Sequence, residues 1–552
     1  MEKPITVYFA NRESCQYQAG ITLLEISHDV QHLYTTAIVA AKVNNEIKDL
    51  QFVVTTDCTI DFFDLRTELG IKVYQRSLTF VMIAAAYELF PHGETTVEHS
   101  LSKGLYCELH IGEPTTEDHL KALEMHMRKI IDENRSITMK SVPIAEAIEL
   151  FRSSGQIEKV KHLEQLKRER VRIYYCGQSY GYFYGMMMPD TKNLKIFSLK
   201  KHESGFILRF PEKERPDCLP EFVPQTKLSE IFLEAERWGK ILKCGYVATL
   251  NEYVHNNKVH DIIRVTEALH EKKIGQIADF VFDNKDVRVI LVAGPSSSGK
   301  TTFAQRLTIQ LKVNGLNPVA LSLDDYFIDR DRTPRDENGD YDFESIEAID
   351  LQLFNEHLRR ILDGEAVKVP SYNFMVGQRE YRGHIIQIEK NQPLIIEGIH
   401  GLNERLSASV PSEHKVKIYV SALTQLSIDN HNRILTTDTR LLRRIVRDSQ
   451  FRSHDALKTL RMWSSVRRGE ERNIFPFQED ADIMFNSGLI YELGVLKKYA
   501  EPLLKQITSA EEEYPEAKRL LNFLSYFENI ADDEIPLNSI LREFTGSSCF
   551  YR

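Results

Sequence analysis

The sequence predicts a multidomain α/β protein. A parallel sheet flanked by helices is expected in the C-terminal half, with a β-grasp domain and an α+β domain before it. Three observations predict this. From residue 288 onward, short apolar runs alternate with amphipathic segments, as the βα units of a parallel sheet do. Before residue 64, alternating apolar positions and turn signals mark short half-buried strands around one helical stretch. At 552 residues the chain exceeds what a single core holds, so three or four domains are expected.

Residues 1–63 carry the first signals. Ile5, Val7 and Phe9 alternate as in a half-buried strand. Thr22 caps a short helix running to Gln31. Ala37 to Val43 is a second strand, closed by the turn Asn44-Asn45, and Thr59 to Phe63 is a third. With Gly20-Ile21-Thr22 and the run Ala41 to Leu50 (AKVNNEIKDL), this stretch resembles a TGS domain, the ubiquitin-like β-grasp module of threonyl-tRNA synthetases. Residues 64–225 continue the resemblance. Ala84 to Pro91, Leu105 to Glu108, a helical Glu117 to Asn134 and Ala147 to Phe151 follow in the order of the synthetase's editing-associated α+β domain.

That family's editing site uses an H-x-x-x-H pair and a later Cys/His pair. Here the first falls near Arg76-Ser77-Leu78-Thr79-Phe80 and the second near Gly181 to Met188, with no such ligand at either. A metal or positioned water needs those ligands, so this half reads as stripped of editing chemistry. It is expected either to bind a small ligand or an RNA end, or to pack as a scaffold on the rest. Residues 226–284 read as a packed helical connector, Leu228 to Leu242 and Val259 to Phe282. Its expected buried stripe is Ile262, Ile263, Val265, Ala268 and Leu269.

Residues 285–505 hold the chemistry. An apolar run, Arg288 to Ala293, feeds Gly294-Pro295-Ser296-Ser297-Ser298-Gly299-Lys300-Thr301, with Thr302 and an amphipathic helix to Val313 after it. This matches the phosphate loop G-x-x-x-x-G-K-[ST]. Glycines let backbone amides turn inward around a phosphate, and the helix start adds free N–H groups and a favourable dipole end. Residues 294–302 are therefore the candidate nucleotide cradle. Lys300 reaches the β/γ-phosphates, and the Thr301 hydroxyl is placed for Mg²⁺.

A second strand starts at Pro318 and ends in Asp324-Asp325. Carboxylates at the carboxyl edge of such a sheet can orient a substrate hydroxyl and take its proton. Asp324 is the first candidate and Asp325 the alternative. Arg440, Arg443, Arg444 and Arg447 fall on one helix face, a stripe that needs anions; Asp438 and Asp448 are the nearby carboxylates expected to offset part of the repulsion.

These segments resemble the uridine kinase and phosphoribulokinase family of P-loop kinases. Ser322 to Phe327 has its S-x-D-x-[FY]-[FY] signature, and Tyr341 to Asp350 is similar to its segment over the sugar. Val369 to Phe374 resembles its base-side segment, and Pro393 to His400 is a second strand carrying Glu397. The resemblance implies ATP as donor, with Mg²⁺ held by Thr301 and Glu397. It implies Asp324 as base and Lys300, Arg444 and Arg447 as catalytic cations of loop and lid. Glu344 faces a ribose, and Tyr372 and Phe374 flank a ring. Arg452, Arg467 and Arg468 are weaker additions, Arg452 on the substrate side. Ala481 to Ser487 reads as a last strand near the adenine.

Two positions depart from the family. Gly377 stands where pyrimidine-specific members have His, and His454 where a lid Arg is expected. The leading expectation is a nucleoside kinase acting on a 5′-hydroxyl. A kinase of another sugar or sugar phosphate stays open, as does an ATP-gated regulatory protein that binds RNA or a ligand. Residues 506–552 read as a polar, partly helical tail that folds back on a partner domain and has no assigned chemistry.

Bulk composition narrows the classes. The net charge of −10 argues against a dedicated nucleic-acid binder. Cys15, Cys58, Cys107, Cys176, Cys218, Cys244 and Cys549 form no C-x-x-C pair, so reduced cytoplasmic thiols are expected in place of a disulfide frame or zinc site. The start, Met1-Glu2-Lys3-Pro4, leads into no signal-type apolar core. No run approaches a membrane span, so no membrane partner is expected. A homo-oligomer is left open.

Overall fold

The computed structural model describes residues 4–9, 12–337 and 339–550. Its first sheet has the strand order Arg12–Gln18, Pro4–Phe9, Cys58–Asp64, Ile38–Val43, Glu46–Asp49. The two central strands run parallel and the other pairs antiparallel. Alternation puts Ile5, Val7, Ile60 and Phe62 on the buried face. Helix Leu23–Val30 closes that face with Leu23, Ile26 and Val30. Thr22 and Glu25 cap it reciprocally, satisfying two donors that the first turn leaves free. Asn44 and Asn45 take positive φ, 46° and 63°, as a tight hairpin turn demands. The three expected strands are present, and the sheet adds two that were not expected, Arg12–Gln18 and Glu46–Asp49.

Next comes the long helix Glu68–Leu89, packed on an antiparallel sheet ordered Ser198–His202, Gly205–Arg209, Gly104–His110, Glu94–Leu101. A three-stranded sheet of Ile137–Pro143, Arg170–Cys176 and Ser179–Gly181 stands beside it. The two segments where the synthetase family places editing ligands are largely packed into core. Phe80 is fully buried with its ring 5.1 Å from that of Phe183. Met187 and Met188 complete the packing, and the Ser77 hydroxyl accepts the Met188 N–H at 2.8 Å. Arg76 turns away to donate to the Met186 carbonyl at 2.6 Å. No cluster of His, Cys, Asp or Glu able to hold a metal exists among the described residues.

The connector is three helices, Thr226–Leu242, Val247–His255 and Val259–Asp283. The expected buried stripe needs correction. Val265 is 40% exposed and Ala268 also faces solvent, while Thr266, Glu267 and His270 are buried with Ile262 and Ile263. The true stripe follows 3.6 periodicity through Ile274, Ile277 and Val281 and admits Glu267 because its carboxylate has partners. Glu267 takes hydrogen bonds from Tyr491 at 2.6 Å and Ser539 at 2.5 Å.

The C-terminal sheet is all parallel, ordered Val319–Ser322, Leu394–Glu397, Val289–Ala293, Lys415–Ser421, Ile483–Asn486. Every residue of Val289–Ala293 is fully buried, as a central parallel strand covered on both faces must be. Val289 and Leu291 pack toward Phe354 and Leu358 of helix Leu351–Leu362. Ile290 and Val292 pack toward Phe303 and Leu307 of helix Lys300–Val313. The tail is not a loose appendage, since Ile530, Ile535, Ile540, Leu541 and Phe544 enter that same second core.

The halves meet at the hairpin of Ser427–Asp429 and Asn432–Arg433. Lys159, 2% exposed, lies 3.3 Å from the Asp429 carboxylate and 2.6 Å from His431 Nδ1. Asn432 donates to the Tyr182 carbonyl and accepts from Tyr184 N–H. No described helix is long and apolar enough to cross a membrane.

Candidate active site at the phosphate loop

Three neighbouring strand ends build the site. The register pairs Ser322 and Val292 with Glu397, so the Asp324 turn, Glu397 and the loop after Ala293 emerge side by side. Loop geometry depends on backbone freedom. Gly294 has φ +155°, and a Cβ there would lie 2.0 Å from the Val420 carbonyl oxygen. Gly299 has φ +83° and Ser297 φ +58°. The buried hydroxyls of Ser297, Ser298 and Thr302 have no hydrogen-bond partner, and Lys300 Nζ reaches only the Pro295 carbonyl, at 3.2 Å. Unpaired hydroxyls on a loop whose glycines admit no Cβ fit a phosphate chain, while Glu470 accepts the Ser296 N–H at 3.0 Å.

The carboxylates are held in a strained electrostatic balance. Burial raises the Asp324 pKa, against the pull of Lys300, Arg452 and Arg447. Glu397 is pushed up to about 8 by burial, despite Lys300, with Asp324 and Glu543 adding like charge. The Thr301 side chain beside Glu397 works in the opposite direction, lowering its pKa. This pair, short of positive charge, fits a divalent cation. Asp325 also sits above its usual range through burial, but its Oδ1 accepts the Tyr372 N–H at 3.1 Å. It anchors the base-side hairpin, which leaves Asp324 the freer carboxylate.

The arginine stripe divides in two. Arg440 and Arg443 are buried and committed. Arg440 pairs with Glu470 and donates to the Ser296 carbonyl at 3.0 Å. Arg443 pairs with Glu492 at 2.6 Å and donates to the Ser487 carbonyl at 2.9 Å. Arg444 donates to Ser296 Oγ at 2.8 Å, and Arg447 lies 2.8 Å from Asp448. Burial works against ionisation of Asp448, but Arg447, Arg444 and Arg452 outweigh it and hold its pKa low. The expected role of Asp438 is corrected. It faces away and receives Arg519 through two 2.7 Å hydrogen bonds. Glu470 and Glu492 neutralise the stripe in its place. They lie 30 and 49 residues along the chain from their arginines, where helix spacing carries no signal.

On the acceptor side, burial pushes Glu344 up to about 7, with Arg444 as the opposing charge. Gly469 is obligatory behind it, since a Cβ would lie 2.3 Å from that of Glu344. Tyr372 is buried while Phe374 is 51% exposed; their rings stand edge-on at 5.0 Å. The partly exposed Arg452 lies 5.9 Å over Phe374. Arg468 pairs with Asp336 at 2.7 Å and Arg467 with Glu470, so both tie helix Ala456–Asn473 to the site. Gly377 has φ +78° beneath the Arg330 side chain, whose guanidinium carbon would be 2.7 Å from a Cβ. His454 N–H caps the Asp448 carbonyl at 3.2 Å. Sequence spacing did not reveal Glu470, Glu492, Arg330 or Glu543. Only Glu470, set among Arg467, Arg468 and Arg472, carried a local hint.

A five-stranded parallel sheet with a phosphate loop at its centre and two carboxylates at adjacent strand ends defines a P-loop phosphotransferase domain. Residues 289–491 match the model of the Phosphoribulokinase / Uridine kinase family, which supports a P-loop kinase fold for this part of the chain. The N-terminal region is similar to threonine–tRNA ligases, among them that of Francisella tularensis subsp. novicida, 25% identical over 197 residues. That alignment covers 36% of this chain and 31% of the ligase, so the chain spans about a third of the relatives it matches. Two solved structures align in part with this chain. One is described as a possible uridine kinase from Bacillus stearothermophilus (17% identity, TM-score 0.26, 38% of this chain and 97% of that one). The other is D-glycerate 3-kinase from Cryptococcus neoformans var. grubii (15% identity, TM-score 0.20, 48% of this chain and 89% of that one).

Proposed function

We propose that the protein is an ATP- and Mg²⁺-dependent kinase that phosphorylates the 5′-hydroxyl of a nucleoside. The observation that carries the reading is the placement of Asp324 and Glu397 at two adjacent strand ends on one side of the phosphate loop, both raised in pKa by burial. Bound Mg²⁺ would supply charge neutralisation at the transferred phosphoryl group. Thr301 and Glu397 are the residues to hold it. Lys300 and the loop amides hold the phosphate chain. Asp324 orients the acceptor hydroxyl and takes its proton, and Arg444 and Arg447 offset the charge that develops on transfer.

A second acceptor is favoured by one observation. Where pyrimidine-specific relatives carry His, Gly377 has no side chain and Arg330 lies over it. A guanidinium there suits an acceptor that is itself anionic, such as a sugar phosphate. The test is ATP consumption by the purified protein across nucleosides, sugars and sugar phosphates. Acceptor-dependent ADP release with a nucleoside supports the first reading. Release with a sugar phosphate alone replaces it with the second, and release with none refutes both.

A further inference from the structure

The C-terminal segment lies on the phosphate loop itself. Its short helix Arg542–Thr545 presents Glu543, whose carboxylate accepts the Thr302 N–H at 3.0 Å. Thr302 is the third residue of helix Lys300–Val313, so this N–H is one of the free first-turn donors on which a bound phosphate chain depends. Ile540 covers the loop beside it, with a methyl 2.4 Å from where a Gly299 Cβ would stand. Phe544 lies under the Arg443 guanidinium at 4.9 Å. The segment is seated firmly. Ile540, Leu541 and Phe544 are fully buried, Ser539 Oγ donates to Glu267, and Arg542 donates to the Ile535 carbonyl at 3.0 Å.

A backbone N–H carries one proton, and Thr302 cannot serve Glu543 and a phosphate oxygen together. The two anions would also repel at this distance. Glu543 is already among the like charges that disfavour ionisation of Glu397.

We propose that Ser539–Thr545 is an autoinhibitory strap: the Glu543 carboxylate stands in for a donor phosphate group on the loop, and a nucleotide binds by displacing it. The strap explains why an apolar-rich tail, far along the chain, is packed against the phosphate loop and takes up one of its backbone donors. It rests on the ATP-kinase reading above.

The test is MgATP affinity of the full chain by calorimetry, for wild type, Glu543→Gln and Glu543→Ala. Removing the carboxylate should tighten binding about tenfold in Glu543→Ala, with Glu543→Gln between it and wild type. Equal or weaker binding by folded variants overturns the strap and leaves the kinase reading standing. Failure of all three proteins to bind ATP overturns both. Amide hydrogen exchange on the wild type gives a second readout that needs no variant. MgATP should speed exchange across residues 537–550, and unchanged or slower exchange overturns the strap.

Discussion

The two halves of the molecule treat a pocket in opposite ways. In the N-terminal half, the region that resembles an editing site is filled. Phe80, Phe183, Met187 and Met188 occupy it, and the Ser77 hydroxyl is spent on a backbone N–H. In the C-terminal half, Ser297, Ser298 and Thr302 keep buried hydroxyls without partners, and Asp324 and Glu397 endure burial that raises their pKa. Buried polar groups left unpaired are costly, so a fold retains them where something else completes them. One region is closed by packing; the other keeps buried polar groups unpaired.

The largest test of this contrast is Asp324→Asn. Turnover should fall by roughly 10²–10⁴-fold while ATP binding persists, measured by steady-state rates beside calorimetry. Near-normal turnover would remove Asp324 from the base role. Phe80→Ala probes the other half. It should lower stability by about 3–5 kcal/mol in denaturant titration and leave kcat of the folded fraction unchanged. A matching loss of kcat would show that the halves are not separable in this way.

Acid sensitivity follows with a smaller slope. Burial holds His99 down at about 3 and His162 at about 4, each neutral in the fold. An unfolded chain takes up protons at both sites as pH drops below about 6.5, and the fold does not. Stability is therefore fully present above about pH 6.5 and is lost as pH falls toward 4, by about 1.4 kcal/mol per pH unit for each such group. His99→Phe, stacked between Tyr106 and Phe232, should flatten the dependence of unfolding midpoint on pH; an unchanged slope assigns the acid sensitivity elsewhere. The smallest effect is expected at Val265→Ala, within about 0.5 kcal/mol, against about 2–5 kcal/mol for Ile262→Ala. Equal effects would restore the stripe first expected from sequence.

Legibility tracked the range of the interaction. The capped helix at Thr22, the Asn44-Asn45 turn, the phosphate loop and the strand ends at Asp324 and Glu397 were all readable, because each depends on residues a few positions apart. The connector stripe was misread at Val265 and Ala268, because apolar character alone was counted where buried Glu267 finds hydrogen bonds in other segments and the His270 ring packs against Phe485. The arginine stripe was read as a unit and proved to be two pairs with different commitments.

By itself the sequence determined that a strand, a glycine loop and a helix would make a phosphate cradle, and that carboxylates would flank it. Local backbone preference and short-range periodicity suffice for that. Only the tertiary structure decided how the cradle is used. Glu470 and Glu492 hold Arg440 and Arg443, Lys159 meets Asp429 across 270 or so residues of chain, and Glu543 reaches Thr302 from 241 residues away. Such pairings are set by which surfaces the packed halves bring together, and no spacing along the chain encodes them.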